Sequence, residues 1–195
     1  FEFLHSKTYQ LQNLNNGKIN ISFFLDLSKV FDTLDHTILL SKLNFYGVKN
    51  TELQWFDSYL NNRSQYVLYN NTKSSTSNLT VGVPQGSILG PLLFIIYMND
   101  FCFSSNLFQF IFYADDTTLH SPLCNFHLNS NTTNMSTTIN QELKKVCDWL
   151  SVNKLSLNIK KTKFIIFHFR QRKLKTNSIP EIRINNSIVE RVTEF

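Results

Sequence analysis

The chain has 195 residues, of which 42% are hydrophobic and 17% charged. At roughly 150 residues per domain this is one domain or little more, enough to bury a core without disulfide or metal staples. Its 18 Phe with only 5 Gly and 4 Pro exclude a disordered or collagen-like chain, and 19 basic against 14 acidic residues (+5) permit an anionic partner without requiring one.

Residues 1–18 are polar with scattered aromatics and no period. Ile19 to Leu27 is β-rich and nearly continuous in apolar character, which predicts a buried central strand with Asp26 at its C-terminal end. From Asp32 to Phe45, Leu34, Ile38, Leu39 and Leu43 recur at helical spacing, and Gly47 stops the run. A second helix is predicted over Thr51 to Leu60, capped by Thr51, with Leu53, Trp55, Phe56, Tyr59 and Leu60 as its apolar face. Arg63 to Tyr69 and Leu79 to Val83 predict a hairpin around a solvated polar turn. Val83-Pro84-Gln85-Gly86 is irregular, since Pro84 lacks an N–H, and Ser87 is placed to cap a helix from Ile88 to about Asp100. The apolar run to Phe103 is broken by Gly90-Pro91 and Asn99-Asp100 and falls short of the roughly 20 residues of a spanning helix, so it reads as a core helix and no membrane is expected.

Phe108 to Tyr113 and Thr117 to His120 predict two strands joined at Ala114-Asp115-Asp116. A polar loop from Asn125 enters a helix, Thr138 to about Val152, with Ile139, Leu143, Val146, Trp149 and Leu150 on one face. Phe164 to Phe169 is another strand, and Ile182 to Ile184 with Ile188 to Val192 form a closing hairpin. Helices alternate with antiparallel pairs, so the fold class is α+β. Cys102, Cys124 and Cys147 form no CxxC pair, and the five His show no HExxH spacing. Neither a disulfide framework nor a zinc site is expected, and a reducing, intracellular setting fits, nuclear or cytoplasmic. No signal peptide is visible, and a chain opening on Phe1 reads as part of something longer.

Two features carry chemistry. Asp26 ends a strand that reads as buried, and Asp115-Asp116 sit at a bend between aromatic strands. The ordinary reading of the second is a turn, because Asp is a turn residue. It nevertheless lacks the Asn-Gly or Asp-Gly chemistry of a two-residue hairpin. Were Asp26 to join the pair, carboxylates about 4 Å apart would repel by roughly 4 kcal/mol per pair at an effective dielectric near 20. Protonation would relieve this, and so would Mg²⁺ or Mn²⁺. Spacing alone does not bring residues 26 and 115 together.

Phe24-Leu25-Asp26-Leu27-Ser28-Lys29-Val30-Phe31-Asp32-Thr33-Leu34-Asp35-His36 resembles motif A of reverse transcriptases. Gly82-Val83-Pro84-Gln85-Gly86-Ser87-Ile88-Leu89-Gly90-Pro91-Leu92-Leu93-Phe94 resembles motif B, and Phe112-Tyr113-Ala114-Asp115-Asp116 motif C. Trp149-Leu150, Asn153 to Asn158 and Lys161-Thr162-Lys163 resemble motif D. The order matches as well, and the nearest kind is the polymerase of non-LTR, LINE-type and jockey-like retrotransposons.

The resemblance implies a palm, an RRM-like antiparallel sheet with helices on one face, at 13–35 and 89–195. It implies a fingers segment at 36–88, a fingers remnant at 1–12 and the start of the primer-grip hairpin at the end of the palm, with the family's thumb absent from this sequence. It implies two Mg²⁺ ions, Mn²⁺ being a possible substitute, held by Asp26, Asp115, Asp116 and the Leu27 carbonyl. Backbone N–H groups at Lys29 and Val30 would hold the triphosphate of a dNTP, and Phe31 would be the steric gate against a 2′-OH; without the motif, Phe31 reads as core. Gln85 and Gly86 would meet the nucleotide. Lys161 is either the motif D lysine near the pyrophosphate or a solvated charge flanked by Lys160 and Lys163. The partners implied are an RNA template and a DNA primer.

Between Lys144 and Lys175 ten Lys/Arg face one acid, Asp148. That balance suits phosphate contacts from Lys160, Lys163, Arg170, Arg172 and Lys173, or a solvated face. The sequence departs from the family pattern at Val30, where Ala is usual, and Phe1 to Gly17 lacks the expected fingers motif. The expected activity is RNA-directed DNA synthesis. The alternatives are a catalytically inactive nucleic-acid-binding remnant, an RRM-like binding module, an RNA-templated RNA polymerase or a scaffold protein with no nucleic-acid role, which the ordered motifs disfavour.

Overall fold

The computed structural model describes residues 12, 19–113, 116–123, 132–168 and 181–193. In chain order the elements are β1 (Ile19–Asp26), α1 (Val30–Thr33), α2 (His36–Phe45), α3 (Asn50–Leu60), β2 (Arg63–Gln65), β3 (Leu68–Tyr69), β4 (Thr72–Lys73), β5 (Ser77–Leu79) and α4 (Leu89–Met98). A 3₁₀ turn (Phe101–Ser104) leads to β6 (Gln109–Tyr113), β7 (Asp116–Leu123), α5 (Thr132–Val152), β8 (Lys163–Phe167), β9 (Arg183–Ile184), β10 (Ser187–Ile188) and β11 (Glu190–Arg191). These form two compact units: the described parts of 1–28, 101–151 and 156–195, and residues 29–100 with 152–155. The proposed fingers remnant at 1–12 lies outside the described residues apart from residue 12.

In the first unit a five-stranded sheet has the order β11-β8-β1-β7-β6. β1 lies at its centre, as its apolar run predicts, antiparallel to both β7 and β8. β6 is antiparallel to β7, and β11 joins β8 in parallel. The two-residue period sends Ile21, Phe23 and Leu25 to one face. There the Phe23 ring lies 5.6 Å from Phe108 and 5.7 Å from Phe164. Phe110 of β6, on the same face, meets Phe101 at 5.0 Å, and Phe101 lies 4.4 Å from Trp149 of α5. α5 buries Ile139, Leu143, Val146 and Leu150, the predicted stripe. Each such side chain stabilises by about 1.5–3 kcal/mol, which holds the helix to this side of the sheet. The other face carries Asn20, Ser22, Phe24 and Asp26. Ser22 Oγ lies 2.5 Å from His120 Nδ1 across the β1–β7 pair. Burial pushes the His120 imidazole down to about 4.

The second unit is helical with a small hairpin. Its core includes Leu34, Leu39, Leu43, Leu60, Leu93 and Tyr97. Tyr97 donates its hydroxyl to the Asn153 carbonyl at 2.7 Å, and Lys42 reaches the Tyr97 carbonyl at 2.6 Å and Asp100 at 2.5 Å. The run Asp32 to Phe45, predicted as one helix, is two. The chain extends at Leu34-Asp35, and Asp35 then caps α2 by accepting the Ile38 N–H at 3.0 Å. α3 begins at Asn50 after Lys49, so Thr51 lies inside it and is not its cap. Its expected apolar face is only partly covered: Leu60 is buried and Trp55 is 54% exposed.

The predicted hairpin forms in two pieces and with a different return strand: of the run Leu79 to Val83, expected as strand, only Leu79 lies in β5, and the stretch expected as a polar turn supplies β4 and the rest of β5. β2 pairs with β5 and β3 with β4. The turn proper is Asn70-Asn71, both at positive φ (46° and 58°), the conformation that closes a two-residue hairpin. Asn185-Asn186 repeats this (46° and 66°) between β9 and β10. α4 begins at Leu89, and the hydroxyl that accepts the Gly90 N–H at 3.0 Å is that of Ser87, as predicted. α5 starts at Thr132, six residues before the predicted Thr138. β8 ends at Phe167, and the predicted end at Phe169 lies outside the described residues.

Candidate catalytic site

The β1–β7 register sets Asp26 directly opposite Asp116. Facing residues of antiparallel strands have Cα atoms about 4.5–5.5 Å apart, so two carboxylates distant in sequence share one end of the sheet. Asp26 is half-buried and Asp116 exposed, and neither belongs to an ion pair among the described residues. Facing like charges disfavour the pairing by about 0.2–1 kcal/mol, which a cation would offset. Asp115 lies outside the described residues, and among those described no three His, Cys, Asp or Glu come together as a metal site. Asp26 and Asp116 offer oxygen donors only, which fits a hard cation such as Mg²⁺ and not a zinc centre.

Asp26 is anchored from the chain that follows α5. Its carbonyl accepts the Asn158 N–H at 2.8 Å, the Ser156 carbonyl accepts the Ser28 N–H at 2.8 Å, and Leu27 bridges to Leu157. Beyond Asn158 the chain closes a tight turn. The Asn158 carbonyl takes the Thr162 N–H at 3.0 Å, the Lys161 N–H at 3.1 Å and the Thr162 hydroxyl at 3.0 Å. Thr162 is buried, and Lys160 and Lys161 project from this turn into solvent. The same turn thus ties Asp26 and Lys161 to one piece of backbone.

The remaining predicted residues lie in the second unit. Lys29 is exposed and left-handed (φ 48°), and Val30 is buried. Phe31 is half-buried with its ring 4.7 Å from Phe94, and its carbonyl accepts the Val83 N–H at 2.8 Å. The Gly82 N–H reaches the Leu34 carbonyl at 2.7 Å, and the Gly82 carbonyl lies 2.7 Å from His36 Nε2. Gln85 is exposed, and its amide donates to Asp32 at 2.8 Å; Gly86 is exposed too. Lys29 and Gln85 line one open cavity of about 630 Å³ together with Asp32, His36, Arg63 and Gln65. Phe31, Val30 and Gly86 do not line it.

Sequence reasoning missed Asp32, Arg63 and Gln65 as cavity residues. Asp32 read as a helix start and Arg63 and Gln65 as strand. The signal that could have found them is polar side chains placed next to the motif A and motif B segments. The basic stretch is less available than its count suggests. Lys144 pairs with Asp148, Lys145 with Glu142, Lys154 with Asp35 and Lys163 with Glu190. Arg170, Arg172 and Lys173 lie outside the described residues. Among the described residues no helix is long and apolar enough to cross a membrane.

The family model described as reverse transcriptase (RNA-dependent DNA polymerase) matches residues 2–183. The chain is 33% identical over 92 residues to the RNA-directed DNA polymerase from mobile element jockey of Drosophila melanogaster, covering 47% of this chain and 10% of that protein. It is 35% identical over 85 residues to the probable RNA-directed DNA polymerase from transposon X-element of the same species, covering 40% and 9%. The chain thus spans about a tenth of the length of the curated relatives it matches. Among solved structures, apo telomerase from Candida tropicalis truncated from its C-terminal domain has a TM-score of 0.62 at 13% identity, over 88% of this chain and 35% of that one. Telomerase from the same organism in complex with a TWJ fragment of telomeric RNA has a TM-score of 0.61 at 13% identity, over 85% and 29%. At that identity the likeness is one of fold.

Proposed function

The chain belongs to the reverse transcriptase (RNA-dependent DNA polymerase) family, and from that premise we propose that it carries the core of an RNA-directed DNA polymerase of a non-LTR retrotransposon. The observation that carries the reading is the register of Asp26 on Asp116 at one end of the sheet. Family membership implies dependence on a divalent metal in general terms. The finer reading is two Mg²⁺ ions held by Asp26, Asp116, the neighbouring Asp115 and the Leu27 carbonyl, with Mn²⁺ able to substitute. When bound, such ions supply charge neutralisation at the reacting phosphate and lower the pKa of the attacking hydroxyl.

The residues of the chain do the positioning. The Asp26 and Asp116 carboxylates fix where positive charge collects. The turn closed on Asn158 holds Lys161 to the Asp26 backbone, where an ammonium can offset charge on a departing pyrophosphate. Lys29 and the backbone at Val30 face a nucleotide's phosphates, and Asp32 holds the Gln85 amide in one orientation. The Phe31 ring, backed by Phe94, excludes a 2′-OH by clash, which is discrimination by repulsion. The reading takes 13–35 and 89–195 as palm and 36–88 as fingers, with an RNA template and DNA primer as partners and dNTPs as substrates.

Primer extension on an RNA template with dNTPs tests it, beside thermal melts with and without Mg²⁺. Expected are incorporation and a Mg²⁺-dependent rise in melting temperature, both lost in Asp26→Asn, and increased use of rNTPs in Phe31→Ala. Mg²⁺-dependent stabilisation without extension would assign the chain to an inactive remnant. Equal response of the parent and Asp26→Asn to Mg²⁺ would refute the site.

A further inference from the structure

α3 and the hairpin after it expose aromatic rings that the second unit's core does not use. Trp55 is 54% exposed, Tyr66 52% and Tyr69 74%. They are ordered, and cations are interleaved with them. Trp55 stacks on Tyr59, one helical turn on, with ring centroids 5.6 Å apart and planes within 9°. The Arg63 guanidinium, four residues further, lies 5.6 Å from the Tyr59 ring. Across the hairpin the Lys73 ammonium lies 3.8 Å from the Tyr66 ring. The run therefore alternates flat π faces with positive charge. Asp57, two residues from both Trp55 and Tyr59, lies on another side of the helix and takes the Asn61 amide at 2.6 Å.

We propose that the Trp55–Tyr59–Arg63 ladder and the Tyr66–Lys73 pair form a stacking platform for unpaired RNA, the template strand of the polymerase reading on which this inference rests. Bases of an unpaired strand offer faces to Trp55, Tyr66 and Tyr69, and its phosphates meet Arg63 and Lys73. Duplex RNA buries its base faces and gains nothing from the rings. Aromatics interleaved with cations are the pattern by which proteins hold single strands without reading sequence.

The test is fluorescence anisotropy of a labelled, unstructured 15-nucleotide RNA and of the same RNA as a duplex. It uses the chain and its Trp55→Ala, Trp55→Phe and Tyr69→Ala variants, with circular dichroism melts as the folding control. Trp55→Ala should weaken single-strand binding about tenfold, the range seen when a stacking ring is removed. Trp55→Phe should restore most of the loss, and duplex binding should stay within twofold. Were Trp55→Ala to lose its melt, Tyr69→Ala at the exposed hairpin tip decides by the same criterion. Unchanged single-strand affinity in the alanine variants, or equal loss on duplex, would overturn the platform and leave the polymerase reading standing. A parent chain that binds neither RNA would overturn both. Sedimentation showing self-association abolished by Trp55→Ala, without an RNA effect, would assign the surface to protein contact and overturn the proposal.

Discussion

Gly82→Ala isolates the backbone clamp between the segments that carry Phe31 and Gln85. Gly82 has φ +83°, a region that disfavours an alanine by about 1–2 kcal/mol. An added Cβ would lie 2.7 Å from the Asp32 carbonyl oxygen and 2.9 Å from its carbon. Both are backbone atoms, held by the bonds from Val83 to Phe31 and from Gly82 to Leu34, so they cannot step aside as a side-chain tip would. Overpacking of this kind adds about 1–3 kcal/mol, giving a total of about 2–5 kcal/mol. Gly86 is the internal control. Its φ is +78°, yet nothing lies within 4 Å of where its Cβ would be, so Gly86→Ala should cost only the conformational part, about 1–2 kcal/mol. Urea unfolding of both variants, followed by circular dichroism with the m-value compared to the parent's, measures the difference. If Gly82→Ala is no less stable than Gly86→Ala, the clamp argument is wrong.

His120 gives a pH prediction. Its folded pKa of about 4 lies below the ordinary 6.5, so the unfolded chain binds the proton first and stability falls as pH drops from about 6.5 to about 4. The span corresponds to about 3 kcal/mol, and urea melts of His120→Asn should lack that part of the slope; a parallel decline in variant and parent would refute it. Asp35 has two roles: it caps α2, and the Lys154 ammonium at 2.6 Å, helped by the Ile38 N–H, holds its carboxyl below the usual range. Asp35→Ala should cost about 1–2 kcal/mol through the lost cap, and Asp35→Ser should recover most of it, because Ser caps as well as Asp while leaving Lys154 unpaired. Equal melting temperatures for the two variants would show that the cap contributes nothing.

The central strand, the α5 stripe and the Ser87 cap were legible because each is a local pattern with one physical reading. The break at Leu34-Asp35 was not, since apolar spacing runs through it. The sign was Asp35 itself, an N-cap residue three before Ile38. The exposure of α3's apolar face was not legible, because periodicity reports that a helix has an apolar side and not whether anything covers it. The two-residue β11 and its parallel pairing on β8 are too short for any pattern. For the site, Asp26 and Asp116 stood out by their positions and the resemblance gave them a role, but sequence distance could not bring them together; the β1–β7 register does. Asp32 and Arg63 escaped notice because their value lies in what they face across the cavity.

The acid at the end of β1 is secured through main-chain atoms, the Asn158 N–H on its carbonyl and the neighbouring Leu27–Leu157 bridge. A tether of that kind is indifferent to the identity of the side chains it passes through. Copies of such a gene that accumulate point changes at 157 and 158 would keep their carboxylate in place, with proline at 158, which has no hydrogen to donate, as the exception. Geometry at this spot is therefore inherited more durably than the letters that encode it.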